Sequence, residues 1–463
     1  MSIFKSLSRE QKEAVGLLQI GTFLEYFDLM LYVHMAVVLN EIFFPKTDPH
    51  TASLIAAFAF CSTFVLRPFG ALLFGYIGDR IGRKTTVIIT TMMMSTSCII
   101  MANLPTYAQI GIAAAWIVTI CRIAQGVSSM GEIMAAKVYM TEITKPPVQY
   151  PAVSFIGVAG SVGSVAALGI ATLVTTVGFN WRIAFWIGAG IALVGSIART
   201  RLRETPEFVE QINTFRMKRK NNENKKINTE ALLDENCKIN DSRINKATMG
   251  AFSLINYGWP ICFYLVYMYF NPILKNKFGY TSEDIIFHNF LLSLIQLARV
   301  IVISLLSYRI HPLKVLRFFG IVFFSFAVFF PYLLNSVTEW YHIFALQTII
   351  SIFTIGSVPA DAILIKHFPV LRRVMLAGVL FSFAGAIAYI ITSFGLVYLT
   401  EFFGHYGLLV ITLPVALSYL WAVNHYAVLE GVPVLKISSM FCYSHEKTLA
   451  VNQTESQKIK NKE

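Results

Sequence analysis

The sequence predicts an all-α membrane protein of twelve transmembrane helices, arranged as two pseudo-symmetric six-helix bundles. Three observations predict this fold class. Only 14% of the 463 residues are charged, against about 25% in soluble domains, and the mean hydropathy is +0.61. Twelve apolar runs are long enough to cross a bilayer. A polar segment divides these runs into two groups of six, and most basic residues lie between the runs rather than within them.

Each predicted span is a run of about 18 or more mostly apolar residues, which as a helix covers the hydrocarbon core of a bilayer. The segment between the two groups of spans is rich in Lys, Asn and Glu, which predicts a flexible or partly helical linker. The spans lie near residues 14–40, 52–77, 85–104, 108–138, 151–177, 182–199, 248–272, 285–307, 315–334, 340–365, 374–399 and 406–427. The predicted organisation is therefore an N-terminus (1–13), an N-terminal bundle (14–199), a linker (200–247), a C-terminal bundle (248–427) and a C-terminal tail (428–463).

The distribution of Lys and Arg predicts the orientation of the chain. With the N-terminus in the cytoplasm, the cytoplasmic segments hold 30 of the 38 Lys and Arg residues. Cytoplasmic loops of membrane proteins carry this kind of excess. No small-residue cleavage site follows the first span, so we expect this helix to be retained. The chain is thus predicted to be a multi-pass membrane protein with both termini in the cytoplasm.

Composition and the missing motifs exclude several classes of function. The net charge of +12 does not indicate a nucleic-acid partner, because the basic residues sit in short loops and tails. The lipid bilayer is the expected partner instead. The sequence has no phosphate-binding GxxxxGK[ST] loop, no GxSxG elbow and no metal-ligand spacing of His, Cys and acidic residues. We therefore expect no ATP-driven transport, no enzyme activity and no cofactor.

The first predicted span carries two carboxylates near its middle, in the stretch GTFLEYFDLMLY (residues 21–32). Glu25 and Asp28 are three residues apart and therefore share one face of a helix. Carboxylates inside a membrane are costly and usually face a cavity or a partner, so this pair is a candidate proton carrier. The Tyr26 ring between them is a candidate surface for a cationic ammonium group. The alternative is a structural ion pair with a buried arginine.

A short charged turn joins the second and third predicted spans within RPFGALLFGYIGDRIGRKTT (residues 67–86). Its glycines allow close helix approach and a tight turn, and its basic residues hold the turn in the cytoplasm. A carboxylate at this junction can pair with an arginine or with the N-terminus of a facing helix. The turn therefore predicts a gate that latches one bundle against the other, and a topology anchor alone is the alternative. The gate residues are Gly75, Asp79, Arg80, Gly82, Arg83 and Lys84.

Three arginines lie well inside predicted spans: Arg67, Arg122 and Arg299. Gln125 lies one turn after Arg122 on the same face. Glu132 lies about 15 Å further along a helix than Arg122, which is too far for a direct pair. The arginines and Gln125 are candidate ligands for a substrate carboxylate, and Glu132 is a third candidate proton carrier. A purely structural network is the alternative.

The second half offers fewer distinct signals. Asn256 and Tyr257 in the seventh span are polar and aromatic candidates for lining a cavity. Pro359 can interrupt the tenth span close to Asp361, and such a break frees backbone groups. Isolated aromatic residues in membrane helices more often pack or mark the lipid interface, which is the alternative for Tyr257.

These motifs resemble those of the major facilitator superfamily and, within it, the metabolite:proton symporter family. GYIGDRIGRK resembles the cytoplasmic signature of the superfamily, and RIAQG resembles its second motif on the fourth helix. GTFLEYFDLMLY is similar to the GNxxEWFDxxxYG pattern of the symporter family. QGVSSMGE, WRIAFWIGA, LRETPEF and HFPVLRR follow in that family's order. The resemblance is strong over residues 14–210 and looser over 248–427, and within the family it is greatest to the proline/betaine transporters.

The resemblance implies a transporter that moves proline, glycine betaine or carboxylates such as oxoglutarate, citrate and shikimate together with protons. The sequence departs from the family pattern at Tyr26, which replaces a tryptophan, and at Met130, which replaces a glycine. The second copy of the hairpin motif reads SYRIHPLK, with Tyr308 in place of an aspartate and His311 in place of a glycine, so the latch is expected to be weaker in that half. The tail has no sustained heptad pattern, so osmotic activation through a coiled coil is not implied.

Three functions are consistent with these observations. The first is symport of protons with a small zwitterion, or alternatively with a di- or tricarboxylate, by a monomer working through alternating access in a bacterial inner membrane. The second is an exchanger or a drug exporter of the same fold, because the buried charges do not fix the direction of transport. The third is a receptor or a membrane enzyme without transport, which the lack of a catalytic constellation and of a sizeable soluble domain disfavours.

Overall fold

A computed structural model describes residues 9–45, 48–80, 83–129, 133–178, 180–200, 245–369 and 373–433. Within these ranges the chain is helical, and no strand is present. The first half contains α1 (Arg9–Phe43), α2 (Pro49–Val65), α3 (Arg67–Arg80), α4 (Arg83–Asn103), α5 (Tyr107–Ile110), α6 (Ile112–Ser128), α7 (Ile133–Ile143), α8 (Gln149–Thr176) and α9 (Arg182–Thr200). The second half contains α10 (Lys246–Tyr264), α11 (Phe270–Phe278), α12 (Ser282–Leu306), α13 (Pro312–Asn335), α14 (Trp340–Ile352), α15 (Asp361–Lys366), α16 (Arg373–Ile390), α17 (Leu396–Phe403) and α18 (Gly407–Leu429).

The helices cover the stretches that the sequence predicts as membrane spans. In the described part of the chain, six stretches are long and apolar enough to cross a membrane by themselves. They are Ala57–Phe74, Gln149–Thr176, Lys246–Phe278, Ser282–Leu306, Pro312–Asn335 and Arg373–Leu429, the last of which contains two predicted spans. The count of twelve spans stays a prediction.

The packing of the helices repeats between the two halves, which confirms the predicted fold class. In the first half, α1 packs along α8 and α4 packs along α9. In the second half, α10 packs along α16 and α13 packs along α18, so each contact recurs six predicted spans later. Between the halves, α8 packs against α12, and α2 and α3 pack against α16. This arrangement has the pseudo-two-fold character of a protein built from two related bundles.

Two glycines allow helices of the first half to approach closely. A Cβ atom built on Gly126 of α6 would lie only 1.8 Å from the carbonyl O of Thr63 in α2. A Cβ on Gly163 of α8 would lie 2.3 Å from the carbonyl O of Phe23 in α1. Because both obstacles are backbone atoms, any larger residue would force these helices apart.

Irregular backbone is found in three of the four predicted spans of the second half that border the cavity described below. A π-helical turn, Leu265–Tyr269, separates α10 from α11, and a second one, Ile391–Gly395, separates α16 from α17. The tenth span is interrupted between Ile352 and Asp361, where the chain leaves the helix. The corresponding spans one and five of the first half, α1 and α8, are continuous α-helices. Single π turns inside α-helices occur frequently at functional sites.

Several predicted features lie outside the described residues. They include nearly all of the linker (200–247), most of the tail (428–463), Gly82 and Glu132. In the predicted gate, α3 ends at Arg80 and α4 begins at Arg83, but the side chains of Asp79, Arg80, Arg83 and Lys84, and the surroundings of Gly75, also lie outside the described part. The domain boundaries and the gate therefore stay predictions.

Candidate functional site

A central cavity of about 110 Å³ lies between the two halves. Helices α1, α7 and α8 line it from the first half, and α10 with its π turn, α12, residues 354–358 and α16 line it from the second. A cavity shared by two packed units, with a few convergent polar groups, is a usual place for a small ligand. The polar side chains on its wall are Thr22, Tyr26, His34, Lys137, Ser161, Ser164, Asn256, Tyr267, Ser293, Gln296, Arg299, Thr354 and Ser357, with Trp259 among the aromatic ones.

The non-helical stretch between α14 and α15 forms part of the cavity wall. Its sequence contains a glycine and a proline, both of which disfavour a continuous helix. Two side chains donate hydrogen bonds to backbone carbonyl groups in this break. The Arg299 Nη1 donates to the carbonyl O of Thr354 at 2.9 Å, and the Tyr419 hydroxyl donates to the carbonyl O of Gly356 at 2.9 Å. Non-helical backbone at membrane depth is tolerated where protein buries it or where it lines a cavity.

This broken segment packs directly on α10. A Cβ built on Gly258 would lie 2.8 Å from the carbonyl O of Ile355, and one built on Gly356 would lie 3.3 Å from the Cβ of Trp259. A side chain at Gly258 would therefore push the segment away from the helix. The two glycines thus set the distance between α10 and the broken segment at the cavity wall.

Arg299 brings a positive charge to the wall. Its Nη1 is engaged with Thr354, whereas its buried Nε has no hydrogen-bond partner among the described residues. Gln296, one turn earlier on α12, accepts a hydrogen bond from the Tyr267 hydroxyl at 2.9 Å, so its amide NH₂ stays available as a donor. A guanidinium with open donors, beside an amide donor, suits a carboxylate ligand.

Aromatic rings form a second part of the wall. Trp259 stacks on Phe263 with ring centroids 5.1 Å apart, and Phe263 lies 4.9 Å from Tyr267. His34 of α1 stands edge-on to Tyr267 with centroids 5.3 Å apart, so the aromatic contacts cross between the halves. The faces of such rings attract a cationic group such as an ammonium.

A buried ion pair joins the two halves on the predicted cytoplasmic side of the cavity. The Lys137 Nζ of α7 lies 3.0 Å from the Asp361 Oδ1 of α15, and the two side chains are only 8% and 5% exposed. Lys137 lines the cavity, whereas Asp361 does not. Beside this pair, the Ser154 hydroxyl of α8 donates to the carbonyl O of Pro359 at 3.3 Å. Removing one partner of such a pair is strongly destabilising because the other charge is left buried and uncompensated.

Two further ion pairs and one histidine–carboxylate contact connect the halves at more exposed positions in the described part of the chain. On the predicted outer side, one joins the end of α1 to α11 and another joins the start of α2 to α17. On the predicted cytoplasmic side, the third joins α7 to the start of α16. The pairs are Glu41 with Lys275, His50 Nδ1 with Glu401 Oε2 at 3.2 Å, and Glu142 Oε1 with Arg373 Nη1 at 2.8 Å. The halves are therefore held together on both sides of the cavity.

Glu430, directly after α18, ties the cytoplasmic end of the second half together. Its carboxylate lies 2.7 Å from the Lys366 Nζ and 2.7 Å from the His367 Nε2. Burial by itself would raise the pKa of Glu430, but the hydrogen bonds and charges of these two residues outweigh it and hold the pKa below its ordinary 4.5. The cluster connects the end of α18 to the end of α15, the short helix that follows the broken segment.

Three of the substrate-binding candidates from the sequence line the cavity, and four do not. Tyr26, Asn256 and Arg299 are on the wall. Asn256 lies on α10, where its side-chain amide donates to the carbonyl O of Phe252 at 2.8 Å, and its Oδ1 is left to accept from a ligand. The four candidates away from the wall are Arg67, Arg122, Gln125 and Tyr257.

Arg122 and Gln125 hold the first half together. Arg122 is fully buried, and its Nη1 donates to the carbonyl O of Leu29 at 3.3 Å and to the Gln125 Oε1 at 3.1 Å. Its guanidinium lies 4.2 Å from the centroid of the Tyr32 ring. These contacts fix α6 against α1.

Arg67 and Tyr257 also lie off the cavity. The Arg67 guanidinium is 4.3 Å from the centroid of the Phe64 ring. Phe64 in turn lies 3.9 Å from the Tyr389 ring of α16, so this arginine sits beside the crossing of the two halves. Tyr257 is half-buried on α10, one residue after Asn256 and on a different face.

The two acidic residues of α1 lie away from the cavity, whereas the tyrosine between them lines it. Glu25 and Asp28 are 6% and 3% exposed, and neither lines the cavity. The Asp28 Oδ1 would lie 3.4 Å from a Cβ built on Gly188, so this carboxylate faces α9 inside the first half. Tyr26 lines the cavity and packs on Gly160 of α8.

His34, Lys137 and Gln296 line the cavity but are not among the residues to which the sequence motifs point. His34 lies two turns after Tyr26 on the same face of α1, and Gln296 lies one turn before Arg299. Helical spacing from the candidates would therefore have found both of them. Lys137 lies close to the predicted cytoplasmic end of its span, where a cation is ordinary, so the sequence carries no comparable signal for it.

Comparison with families and curated proteins gives consistent matches. The family model described as Major Facilitator Superfamily matches residues 18–393. A proline/betaine transporter of Salmonella typhimurium is 31% identical over 208 residues, which cover 43% of this chain and 42% of that protein. The inner membrane metabolite transport protein YhjE of Escherichia coli is 34% identical over 197 residues, which cover 41% of this chain and 45% of that protein. The chain thus spans less than half the length of the curated relatives it matches.

Solved structures resemble this chain over nearly its whole length. A partially occluded inward-open form of the xylose transporter XylE from E. coli superposes with a TM-score of 0.66 at 14% identity, covering 90% of this chain and 97% of that one. The human organic anion transporter MFSD10 superposes with a TM-score of 0.63 at 13% identity, covering 90% of this chain and all of that one. At such low identity the likeness concerns the fold.

Proposed function

The chain belongs to the major facilitator superfamily, a family of membrane transporters rather than enzymes, and we propose that it carries a small zwitterion of the proline or glycine betaine type together with protons. The observation that carries this proposal is the composition of the central cavity, where a cation with open donors and an aromatic wall share one small space. A zwitterion presents one carboxylate and one ammonium, and the wall offers a partner for each.

The charges on the wall match a single carboxylate. Among the described lining residues, Lys137 and Arg299 are the two permanent cations, and Lys137 is bonded to Asp361. Arg299 is thus the cation left to attract an anion, with the Gln296 amide as a second donor. The ammonium group would lie against the rings of the wall, to which Trp259 contributes, because a desolvated cation–π contact is worth about 2 kcal/mol.

The volume of the cavity also favours a small substrate. Pockets for drug-sized ligands occupy roughly 300–1,000 Å³, whereas this cavity measures about 110 Å³. A compact molecule with few heavy atoms fits such a space. The names of curated relatives support the same substrate class, since a proline/betaine transporter and a glycine betaine/proline/ectoine/pipecolic acid transporter are 31% and 29% identical to this chain over 208 residues.

A second candidate substrate is a di- or tricarboxylate such as oxoglutarate or citrate, moved by symport or by exchange. One observation favours it: Lys137 also faces the cavity, so a second cation becomes available when it leaves Asp361. The aromatic wall has no evident role for such a substrate, and we therefore place it second.

Transport would proceed by alternating access of the cavity to the two sides of the membrane. The ion pairs between the halves support this proposal, since they lie on both sides of the cavity and can break on one side at a time. Proton coupling requires an acidic group that changes protonation during the cycle, and the buried acids of the described residues are Glu25, Asp28 and Asp361. We further propose that the protein works as a monomer in a bacterial inner membrane with both termini in the cytoplasm.

Uptake by the purified full chain in proteoliposomes tests the proposal. Radiolabelled proline, glycine betaine, oxoglutarate and citrate are each offered with an inward proton gradient, with an uncoupler, and with neither. Accumulation of proline or betaine that needs the gradient is the expected result, with protein-free liposomes as the control. Accumulation of citrate or oxoglutarate alone would select the second candidate. Uptake that is indifferent to both the proton gradient and the membrane potential would reject proton symport.

A further inference from the structure

We propose that Asp361 and the substrate carboxylate compete for Lys137, and that this competition couples substrate to proton. In the empty protein Lys137 binds Asp361. When a substrate binds, one oxygen of its carboxylate is held by Arg299, and the other takes the place of Asp361 at the Lys137 ammonium, since both cations line the cavity. Asp361 then takes up one proton to become a neutral carboxylic acid. The inference rests on the proposed function, because it needs a carboxylate substrate and proton coupling, and it assigns that coupling to a pair that bridges the two halves.

The first support is the position of Lys137 between two anion sites. Its ammonium is 3.0 Å from the Asp361 Oδ1, yet the residue is part of the cavity wall and Asp361 is not. An ammonium has three donors, and Asp361 occupies one of them. On its other side, the Lys137 Nζ is 5.7 Å from the centroid of the Phe381 ring, which also lines the cavity. A carboxylate in the cavity therefore meets a lysine that can turn from one oxygen partner to another.

The second support is the environment of Asp361. The residue is 3% exposed, and its Oδ2 has no hydrogen-bond partner among the described residues. Lys137 of α7 is the one Lys, Arg or His within ion-pair distance of it in the described part of the chain, and the Tyr26 phenol of α1 is near enough to interact with its charge. Helix α8 presents the Ser154 hydroxyl to the adjacent backbone, and α16 presents the Phe381 ring to Lys137. Once Lys137 turns away, no described cation compensates an ionised Asp361, and a buried carboxylate without a cation takes up a proton.

The third support is the charge balance of the occluded state, through which every transport cycle passes. With the cavity empty, the buried lysine and aspartate neutralise each other. With substrate and proton both bound, the lysine is paired with the substrate carboxylate, the aspartic acid is neutral, and the substrate ammonium lies against the aromatic wall. With the proton alone bound, Lys137 is left as a buried cation without an anion beside it, which disfavours that state by about two to three orders of magnitude. With the substrate alone bound, Asp361 is left ionised without a cation beside it, so substrate binding favours protonation of Asp361 and the two fluxes are coupled.

The same competition opens the cytoplasmic side. The bond between Lys137 and Asp361 crosses between the halves, next to the contact of Ser154 with the broken segment. When substrate and proton are both bound, this bond is absent and neither charge resists separation. The halves can then part on the side where the proton concentration is lower and release both ligands together.

The test compares Asp361→Asn with the parent in proteoliposomes that contain a pH-sensitive dye, with radiolabelled proline or glycine betaine as the probe. Asn imitates the protonated aspartic acid, so the loaded protein still closes, but the empty protein leaves Lys137 buried alone. Counterflow of the probe is expected to stay within about threefold of the parent. Net uptake and probe-driven proton entry are expected to fall by about 100-fold or more.

The double variant Lys137→Gln/Asp361→Asn keeps the inference falsifiable if the single variant does not fold. It removes both charges, so the empty and the loaded protein can both close, and we expect downhill uptake to return without proton entry. Its KM is expected to rise about tenfold or more, because a charged hydrogen bond to the substrate is lost. Glu283→Gln is the control, since it removes an exposed carboxylate in the first turn of α12 that does not line the cavity and should leave coupling intact.

The outcomes separate this inference from the proposed function. The parent protein alone decides the proposed function, through its choice of probe and its dependence on the proton gradient. Proton-coupled accumulation by Asp361→Asn or by the double variant would overturn the inference while leaving symport in place. Loss of counterflow in a folded Asp361→Asn variant would also overturn it. Parent uptake without proton coupling would reject both proposals.

Discussion

Replacing Arg299 with Gln removes the one cation of the cavity wall that is not already paired with an acid in the described part of the chain. Gln retains a polar group but has no charge and fewer donors. A hydrogen bond to a charged group contributes about 1.5–3 kcal/mol. Because about 1.4 kcal/mol corresponds to a factor of ten, the KM for proline or glycine betaine should rise about 10- to 150-fold.

The Arg299→Lys variant divides this effect into charge and geometry. Lys keeps the charge but lacks the fork that lets one guanidinium donate to Thr354 and to a ligand together. We therefore expect the KM of Arg299→Lys to rise by less than about tenfold over the parent, which is a smaller rise than for Arg299→Gln. A loss equal to that of Gln would mean that the fork, rather than the charge, holds the substrate.

Initial rates of uptake over a range of substrate concentrations measure these changes. Quenching of tryptophan fluorescence supplies an independent binding assay, since Trp259 lies on the cavity wall. Arg309→Gln is the matched control, because this arginine is exposed in the turn between α12 and α13. If Arg299→Gln leaves the KM within about twofold of the parent, or if Arg309→Gln raises it equally, the carboxylate site is not at Arg299.

Three further predictions concern helix contacts, the gate and pH. Gly258→Ala places a Cβ 2.8 Å from the carbonyl O of Ile355 and should lower both the transport rate and the thermal midpoint; an unchanged midpoint would contradict the close packing. Asp79→Asn should slow the transport cycle in the counterflow assay, whereas Tyr308→Phe should not, because only the first hairpin retains its aspartate; equal rates would argue for a topology anchor. In the folded protein the pKa of Glu430 lies below its ordinary 4.5. The stability that its hydrogen bonds provide is therefore fully present above pH 4.5 and is lost as the pH falls through the pKa of the folded state. Thermal midpoints between about pH 6 and about pH 3 should therefore fall less steeply in Glu430→Gln, and parallel curves would contradict this reasoning.

Hydropathy was sufficient to predict the fold because the bilayer imposes one strong rule on the chain. Each backbone group at membrane depth needs an internal partner, so long apolar runs become helices. The positions of the helices follow the predicted spans closely, as α8 and α12 show. The interruption of the tenth span was partly visible too, since Pro359 marks the end of the broken segment.

The site was less predictable than the fold. Whether a side chain faces the cavity or another helix depends on the packing of helices that are distant in sequence. Arg122 and Arg299 look alike in the sequence as single cations inside apolar runs. The structure buries Arg122 among groups of the first half and places Arg299 on the cavity wall. Lys137 and Asp361 are 224 positions apart, and only the contact of α7 with α15 brings them together. No local pattern encodes such a contact.

The two π turns make the halves mechanically unequal. A π turn widens the helix and weakens the regular hydrogen-bond ladder, so it is a point at which a helix bends and twists easily. Both described π turns lie in the second half, Leu265–Tyr269 beside the cavity and Ile391–Gly395 directly after α16, whereas α1 and α8 opposite them are unbroken. The seventh and eleventh predicted spans are therefore easier to bend than their counterparts α1 and α8. Movement around a substrate would bend these two spans more than the two helices opposite them.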